Sequence, residues 1–184
     1  MATVLIPLAE GCEELEAVTL IDILRRAKVH VVTASLTDHL QITASRGVRL
    51  VADTTLEAVI SDDFDMLILP GGQPGTNNLD ADPRIHALIK RLHHDHKWIG
   101  AICAAPLVLA HSGLLNGLKA SCYPGALEPA EWPEVQLSND AVICDNKVIT
   151  SRGPGTAMAF ALTIIEKLMD EATRKQVESG LEIR

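Results

Sequence analysis

The stretch Trp98-Ile99-Gly100-Ala101-Ile102-Cys103-Ala104-Ala105-Pro106-Leu107-Val108-Leu109-Ala110 changes character at its middle. An apolar run of strand length ends at Cys103. Residues 104–110 have the small and apolar composition of a helix, and Pro106 suits a first helical turn because its missing N–H forfeits no bond there. A strand that turns abruptly into a helix leaves its corner side chain at the sheet edge, where the first helical N–H groups stabilise a thiolate or an oxyanion. The small residues beside Cys103 permit so tight a corner. The same segment has a second reading, a free cysteine packed as a small inert hydrophobe. Alone, it leaves both standing.

Outward from that junction, short apolar runs alternate with amphipathic stretches. Residues 4–8 read as a buried strand. Residues 13–26 carry Leu15, Val18, Ile21, Ile23 and Leu24 near helical spacing, and residues 29–34 return as a strand. Residues 41–51 read as a small hairpin, 66–69 as another buried strand and 83–96 as a helix. Beyond the Cys103 unit, 141–144 and 148–150 flank an Asp145-Asn146 turn, and 156–169 form a strongly apolar helix. This alternation predicts one α/β domain over residues 1–184, a mostly parallel sheet with helices on both faces in three layers. No repeat, linker or low-complexity segment interrupts it.

At 184 residues and 47% hydrophobic content, a chain of this size buries roughly 70% of its unfolded surface without help from a cofactor or metal. Sixteen basic residues against 24 acidic ones give a net charge of −8, which lacks the basic footprint of a nucleic-acid binder. An aromatic content of 3% leaves no stacking platform for bases. Cys12, Cys103, Cys122 and Cys144 form no C-x-x-C and no close pair, against a zinc or thioredoxin-like site. Free thiols suit a reducing cytoplasm, with Cys12, Cys122 and Cys144 read as packed. The N-terminus has no charged leader, and no apolar run approaches ~20 residues, so neither a signal peptide nor a membrane span is expected. His93, His94 and His96 lack an obvious fourth ligand, and no metal is assigned to them.

Three further segments converge on the Cys103 strand end if the sheet is parallel, because loops after parallel strands gather along one edge. In Ala9-Glu10-Gly11-Cys12-Glu13-Glu14-Leu15-Glu16, Glu13 and Glu14 have a structural explanation as first-turn carboxylates that complement the helix dipole. Glu16 reaches the thiol only if its helix begins near Cys12 and leans over the sheet edge. There a partly buried carboxyl stays protonated and serves as acid or base. Leu69-Pro70-Gly71-Gly72-Gln73-Pro74-Gly75 is a glycine-rich turn able to expose backbone N–H groups, and it has neither P-loop nor dinucleotide spacing. Ser151-Arg152-Gly153-Pro154-Gly155-Thr156, taken alone, reads as a turn and helix start.

In register, these segments resemble one family over nearly the whole chain: the ThiJ/PfpI superfamily, in the branch of the parkinsonism-associated protein deglycase and the bacterial YajL/ThiJ proteins. The resemblance implies a flavodoxin-like sandwich with the cysteine on a nucleophile elbow. It makes Cys103 the reactive cysteine and Glu16 the carboxylic acid hydrogen-bonded to it, and it places the backbone N–H groups of Gly72 and Ala104 in an oxyanion pocket. Gly153 and Pro154 fall at a pocket or interface. Arg26 and Arg46 become candidates for contacts beside the subunit interface of an expected homodimer.

The implied activity is a cofactor-independent glyoxalase or deglycase, acting on methylglyoxal, glyoxal or their early adducts on proteins. One departure is visible. Where the branch carries a histidine before a proline, this chain reads Cys122-Tyr123-Pro124. Tyrosine, with a pKa near ~10, cannot replace an imidazole base at neutral pH, so a Cys-His peptidase mechanism is not expected. His111, late on the elbow helix, reads as a surface or packing residue. A different class of function uses the same residues: a redox sensor or chaperone whose Cys103, as a low-pKa thiolate beside Glu16, is oxidised to a sulfenic or sulfinic acid. A thiamine-biosynthesis role finds no thiazole-phosphate site in the sequence.

Overall fold

Val4, Leu5, Ile6, Met66, Leu67, Ile68 and Leu69 are apolar without alternation and fully buried. Strands of that kind need cover on both faces, which a parallel sheet between two helical layers supplies. The computed structural model describes residues 1–183. Its first half runs β1 (Thr3–Leu8), α1 (Glu14–Arg26), β2 (His30–Ser35), β3 (Gln41–Thr43), β4 (Arg49–Val51), β5 (Thr54–Thr55), α2 (Leu56–Val59), β6 (Met66–Leu69), α3 (Gln73–Ala81) and α4 (Pro83–His94). Its second half runs β7 (Trp98–Ile102), α5 (Pro106–His111), β8 (Lys119–Ala120), β9 (Gln136–Leu137), β10 (Val142–Asp145), β11 (Val148–Ser151), a 3-10 turn (Pro154–Thr156), α6 (Ala157–Leu168) and α7 (Glu171–Gly180).

Seven strands form the central sheet in the order β10-β11-β7-β6-β1-β2-β5, parallel throughout except for β10 against β11. On one face Val4, Ile6 and Ile68 pack with Leu20 and Leu24 of α1 and Phe160 of α6. On the other, Leu5, Leu67 and Ile99 pack with Leu79 of α3, Leu88 of α4 and Leu109 of α5. β2 lies on one side of β1 and β6 on the other, so the strand order reverses at β1. That reversal opens a crevice at the carboxyl ends of β1 and β6, where ligands of open α/β sheets bind. Before its short pairing with β5, the outer edge of β2 is blocked by side chains. Asp53 accepts from the N–H and hydroxyl of Thr33, and Arg25 donates to the Val31 carbonyl, occupying groups that another strand would pair.

The strand and helix alternation agrees with the sequence expectation, with some differences. The hairpin turn is Asn146-Lys147, not Asp145-Asn146, because both central residues have positive φ (44° and 66°), as a primed two-residue turn requires. Cys144 and Cys122 are not core. On edge strand β10 the inward residue is Ile143, which turns Cys144 outward to solvent, and Cys122, past the end of β8, is only partly buried. α7 buries Val177 alone and α3 has a single large apolar side chain, Leu79, so neither carries a strong helical pattern. Leu15 and Val18, counted toward the inner stripe of α1, are instead exposed on its outer face. Among the described residues no helix is long and apolar enough to cross a membrane.

Candidate active site

Cys103 stands between β7 and α5 with φ of 65°, a left-handed conformation uncommon for a residue with a Cβ. Its neighbours over-determine it. The Cys103 N–H donates to the Ser151 carbonyl at 3.0 Å, and its own carbonyl accepts from the Tyr123 N–H at 2.8 Å. Strain of this kind persists where surrounding bonds hold it, and it presents the side chain at the sheet edge. Pro106 opens α5, as its place in the sequence suggested.

The crevice between β1 and β6 brings the other groups in. Gly71 comes after β6, and a Cβ there would lie 2.5 Å from the Cys103 Cβ, so only glycine lets the two backbones come this close. The Gly71 N–H donates to Glu16 Oε2 at 2.8 Å, and its carbonyl accepts from the Glu13 N–H at 2.9 Å. Gly72, with φ of 86°, is the residue from which α3 starts, and a Cβ on it would meet the Glu13 nitrogen at 2.6 Å. The backbone N–H groups of Gly72 and Ala104 favour the charged form of Cys103.

Glu16 is fully buried, and its Oε1 has no hydrogen-bond partner. A buried carboxylate oxygen without a donor is costly, so this environment favours the neutral acid. Burial accordingly pushes the Glu16 carboxyl up to about 7, against the opposing pull of the Gly71 N–H and the Cys103 side chain. Cys103 is pushed up to about 12, by burial first and then by the Glu16 charge, and the two N–H groups do not offset these. The low-pKa thiolate expected from the sequence is therefore corrected: burial first, and then the Glu16 charge, outweigh the two N–H groups. The two groups are coupled: the Cys103 side chain pulls the Glu16 carboxyl down, and the Glu16 charge pushes the Cys103 thiol up.

The remaining candidates divide between this edge and the rest of the molecule. Glu13 and Glu14 hold the turn of residues 45–46: Ser45 Oγ lies 2.8 Å from Glu13 Oε2 and 2.9 Å from Glu14 Oε2, and Glu14 accepts the Arg46 N–H at 2.9 Å. One hydroxyl proton serves one of these carboxylates at a time. Arg46 thus lies beside the start of α1, whereas Arg26 lies at the opposite end, about 15 Å from Glu16 by helical rise, paired with Asp22. Gly153 packs against the Tyr123 ring, and Pro154 lines a groove with Leu15, Thr19, Met158 and Leu162. Cys12 is fully buried, its thiol pushed up to about 12 by burial and the Glu14 charge. His111, partly exposed, places Nδ1 2.8 Å from Asp80 Oδ2. Among the described residues no three His, Cys, Asp or Glu side chains are grouped to hold a metal. Two further residues, Gly71 as the donor to Glu16 and Ser151 as the acceptor for Cys103, were not expected from the sequence. Consecutive glycines after an apolar strand signalled the first, and the Ser151–Thr156 segment, expected at this edge, signalled the place of the second but not its bond.

The raised Glu16 value carries a stability consequence. Glu16 titrates near 4.5 when unperturbed and near 7 in the fold, so between those values the native state binds a proton that the unfolded chain releases, and stability falls as pH rises. From pH 5 to 8 the expected loss is on the order of 3 kcal/mol. Urea unfolding at both pH values checks it, and Glu16→Gln should remove that part of the slope. Equal slopes in wild type and variant would refute it.

A thiol on a strained strand-to-helix corner, with a close glycine backbone and a buried carboxyl beside it, defines a cysteine-elbow α/β protein. Comparison with known proteins specifies the class further. A sequence model of the DJ-1/PfpI family matches residues 2–167, and the chain belongs to that family. The Arabidopsis thaliana protein DJ-1 homolog B is 41% identical over 165 residues, 89% of this chain, although the chain spans only 37% of that relative. A Caenorhabditis elegans relative named glutathione-independent glyoxalase DJR-1.2 is 35% identical over 167 residues, covering 91% of this chain and 88% of the relative. The structure of oxidised Toxoplasma gondii DJ-1 superposes with a TM-score of 0.92 at 38% identity, covering 98% of each chain.

Proposed function

We propose that the chain is a glutathione-independent glyoxalase that converts 2-oxoaldehydes such as methylglyoxal into 2-hydroxy acids. The observation that carries the reading is the coupled pair, Cys103 and Glu16, with the Gly72 and Ala104 N–H groups favouring a charged sulfur. The thiol passes its proton to Glu16 and attacks the aldehyde carbon, and the oxygen of the resulting hemithioacetal takes up the negative charge. N–H groups so placed are worth about 2.7–4 kcal/mol each in acyl-transfer enzymes. Glu16 neutralises that oxygen, removes the hydrogen of the former aldehyde carbon as a proton and returns it to the neighbouring carbon through an enediol. The product is a 2-hydroxy thioester. Water cleaves it, releasing the acid and restoring the thiol. One carbon is oxidised as its neighbour is reduced, so the sum is substrate plus water and needs no external redox partner.

Early glyoxal adducts on proteins are reversible, so consumption of the free aldehyde drains them and produces apparent deglycation. The reading includes a homodimer, for which the outward Leu15 and Val18 of α1 and the exposed Met158 beside them provide an apolar face. The test is lactate formation from methylglyoxal by reduced protein, with glutathione, amines and thiols omitted. Many turnovers per chain are expected. Absence of turnover by folded protein removes the reading.

A second reading, redox sensing with chaperone action, is favoured by the unpartnered Glu16 Oε1. Peroxide would oxidise the Cys103 thiolate to a sulfenate and then a sulfinate, releasing water each time, and the protonated Oε1 would donate to the new oxygen. One oxidation per chain coupled to suppression of client aggregation, without lactate formation, would favour this alternative.

A further inference from the structure

We infer that the face of the Tyr123 ring determines specificity at the Cys103 site, selecting 2-oxoaldehydes whose ketone carbon bears a flat, apolar substituent. The inference rests on the glyoxalase reading for its substrate class and on separate geometry for the ring. In the parallel register of β7 and β11, Ile102 lies opposite Ser151, and the Cys103 N–H bonds to the Ser151 carbonyl, so residues 152–153 run beside the reactive cysteine. Tyr123 joins them there through its N–H on the Cys103 carbonyl. Its ring rests on Gly153, where a Cβ would sit 3.3 Å from Cδ2 and 3.8 Å from Cε2. The Gly153 backbone is extended, with φ of 162°. Nothing in its conformation requires glycine, but the close approach of the ring favours one.

Tyr123 is the only tyrosine in the chain and is 53% exposed, so part of the ring remains open to solvent. Phe64 and Phe160 are buried, while Trp98 and Trp132 pack elsewhere, under Lys147 and against His111. Around the Cys103 corner, the Gly71-Gly72 backbone and the Gly153-Tyr123 pair thus arrive from different elements. For selection by the ring, a substrate seated with its aldehyde oxygen on the Gly72 and Ala104 N–H groups must place its ketone substituent against the ring. Stacking there favours an aryl group over a methyl group. Because Tyr123 holds Cys103 through its main chain, replacing the side chain leaves that bond in place.

The test compares kcat/KM for phenylglyoxal and methylglyoxal in wild type, Tyr123→Ala and Tyr123→Phe. Wild type should prefer phenylglyoxal. In Tyr123→Ala the preference should fall about 2- to 10-fold, the size of an aromatic pair, through KM for phenylglyoxal, whereas Tyr123→Phe keeps it. An unchanged preference in Tyr123→Ala, or an equal loss in Tyr123→Phe, overturns the inference. A parallel measurement needs no turnover: alkylation of Cys103 by iodoacetanilide against iodoacetamide, read at the Cys103 peptide. A fall in that ratio in Tyr123→Ala supports the ring's role even if wild type makes no lactate, an outcome that removes the glyoxalase reading alone. An unchanged alkylation ratio overturns the inference whatever the turnover.

Discussion

Cys103→Ala should reduce lactate formation from methylglyoxal to the rate of the protein-free reaction. In the proposed mechanism the hemithioacetal that commits the substrate takes its sulfur from this side chain, and without it Glu16 has no bound carbon acid to deprotonate. Cys103→Ser should fail as well, since the hydroxyl is far less acidic than a thiol already pushed up to about 12 by the same surroundings. Neither change should unfold the chain. The bonds that hold the corner come from the Cys103 main chain, donating to Ser151 and accepting from Tyr123, and both substitutions keep them. Cys144→Ser supplies the contrast: that thiol is exposed on edge strand β10, and its loss should leave turnover unchanged. Lactate production with circular dichroism as a folding check measures all three. Turnover by folded Cys103→Ala within about tenfold of wild type, a barrier change below about 1.4 kcal/mol, would sink the covalent mechanism.

Patterns that chain neighbours determine were legible in the sequence. The apolar run into Cys103, Pro106 in the first turn of α5 and the glycine pair after β6 are local, and each element formed where its pattern lay. Contacts set by register were not legible. That Ser151 and Tyr123 hold the two backbone groups of Cys103 is a consequence of β11 pairing with β7 and of the path of the chain after β8, which no short window encodes. Periodicity located α1 but not which of its apolar residues face outward, since Leu15 and Val18 carry the same signal as buried Leu20 and Leu24. Thiol acidity was misjudged for a related reason. A helix start is visible in sequence and favours a thiolate, but burial and a carboxyl contributed from another element oppose it, and here they win.

Glu16→Gln should lower kcat by about 10²- to 10⁴-fold, the usual contribution of a positioned acid-base group, with a much smaller change in KM. Glutamine keeps an oxygen to accept the Gly71 N–H, so the side chain stays in place, but its amide cannot relay a proton between adjacent carbons. The pH profile separates this role from mere packing. In wild type the Cys103-Glu16 pair gives up its first proton near pH 7 and its second near 12. In the proposed mechanism attack requires the singly protonated pair, with the one remaining proton moved from sulfur to carboxyl. The rate should therefore rise about tenfold per pH unit below 7 and level off above it. In Glu16→Gln the limb near 7 has no group to produce it, and the residual rate should keep rising where the wild type is flat, tracking ionisation of the thiol alone. kcat/KM from pH 5 to 9 for both proteins measures this. A variant that retains the break near 7 would assign the proton to another group and remove Glu16 from the chemistry, even if kcat had fallen.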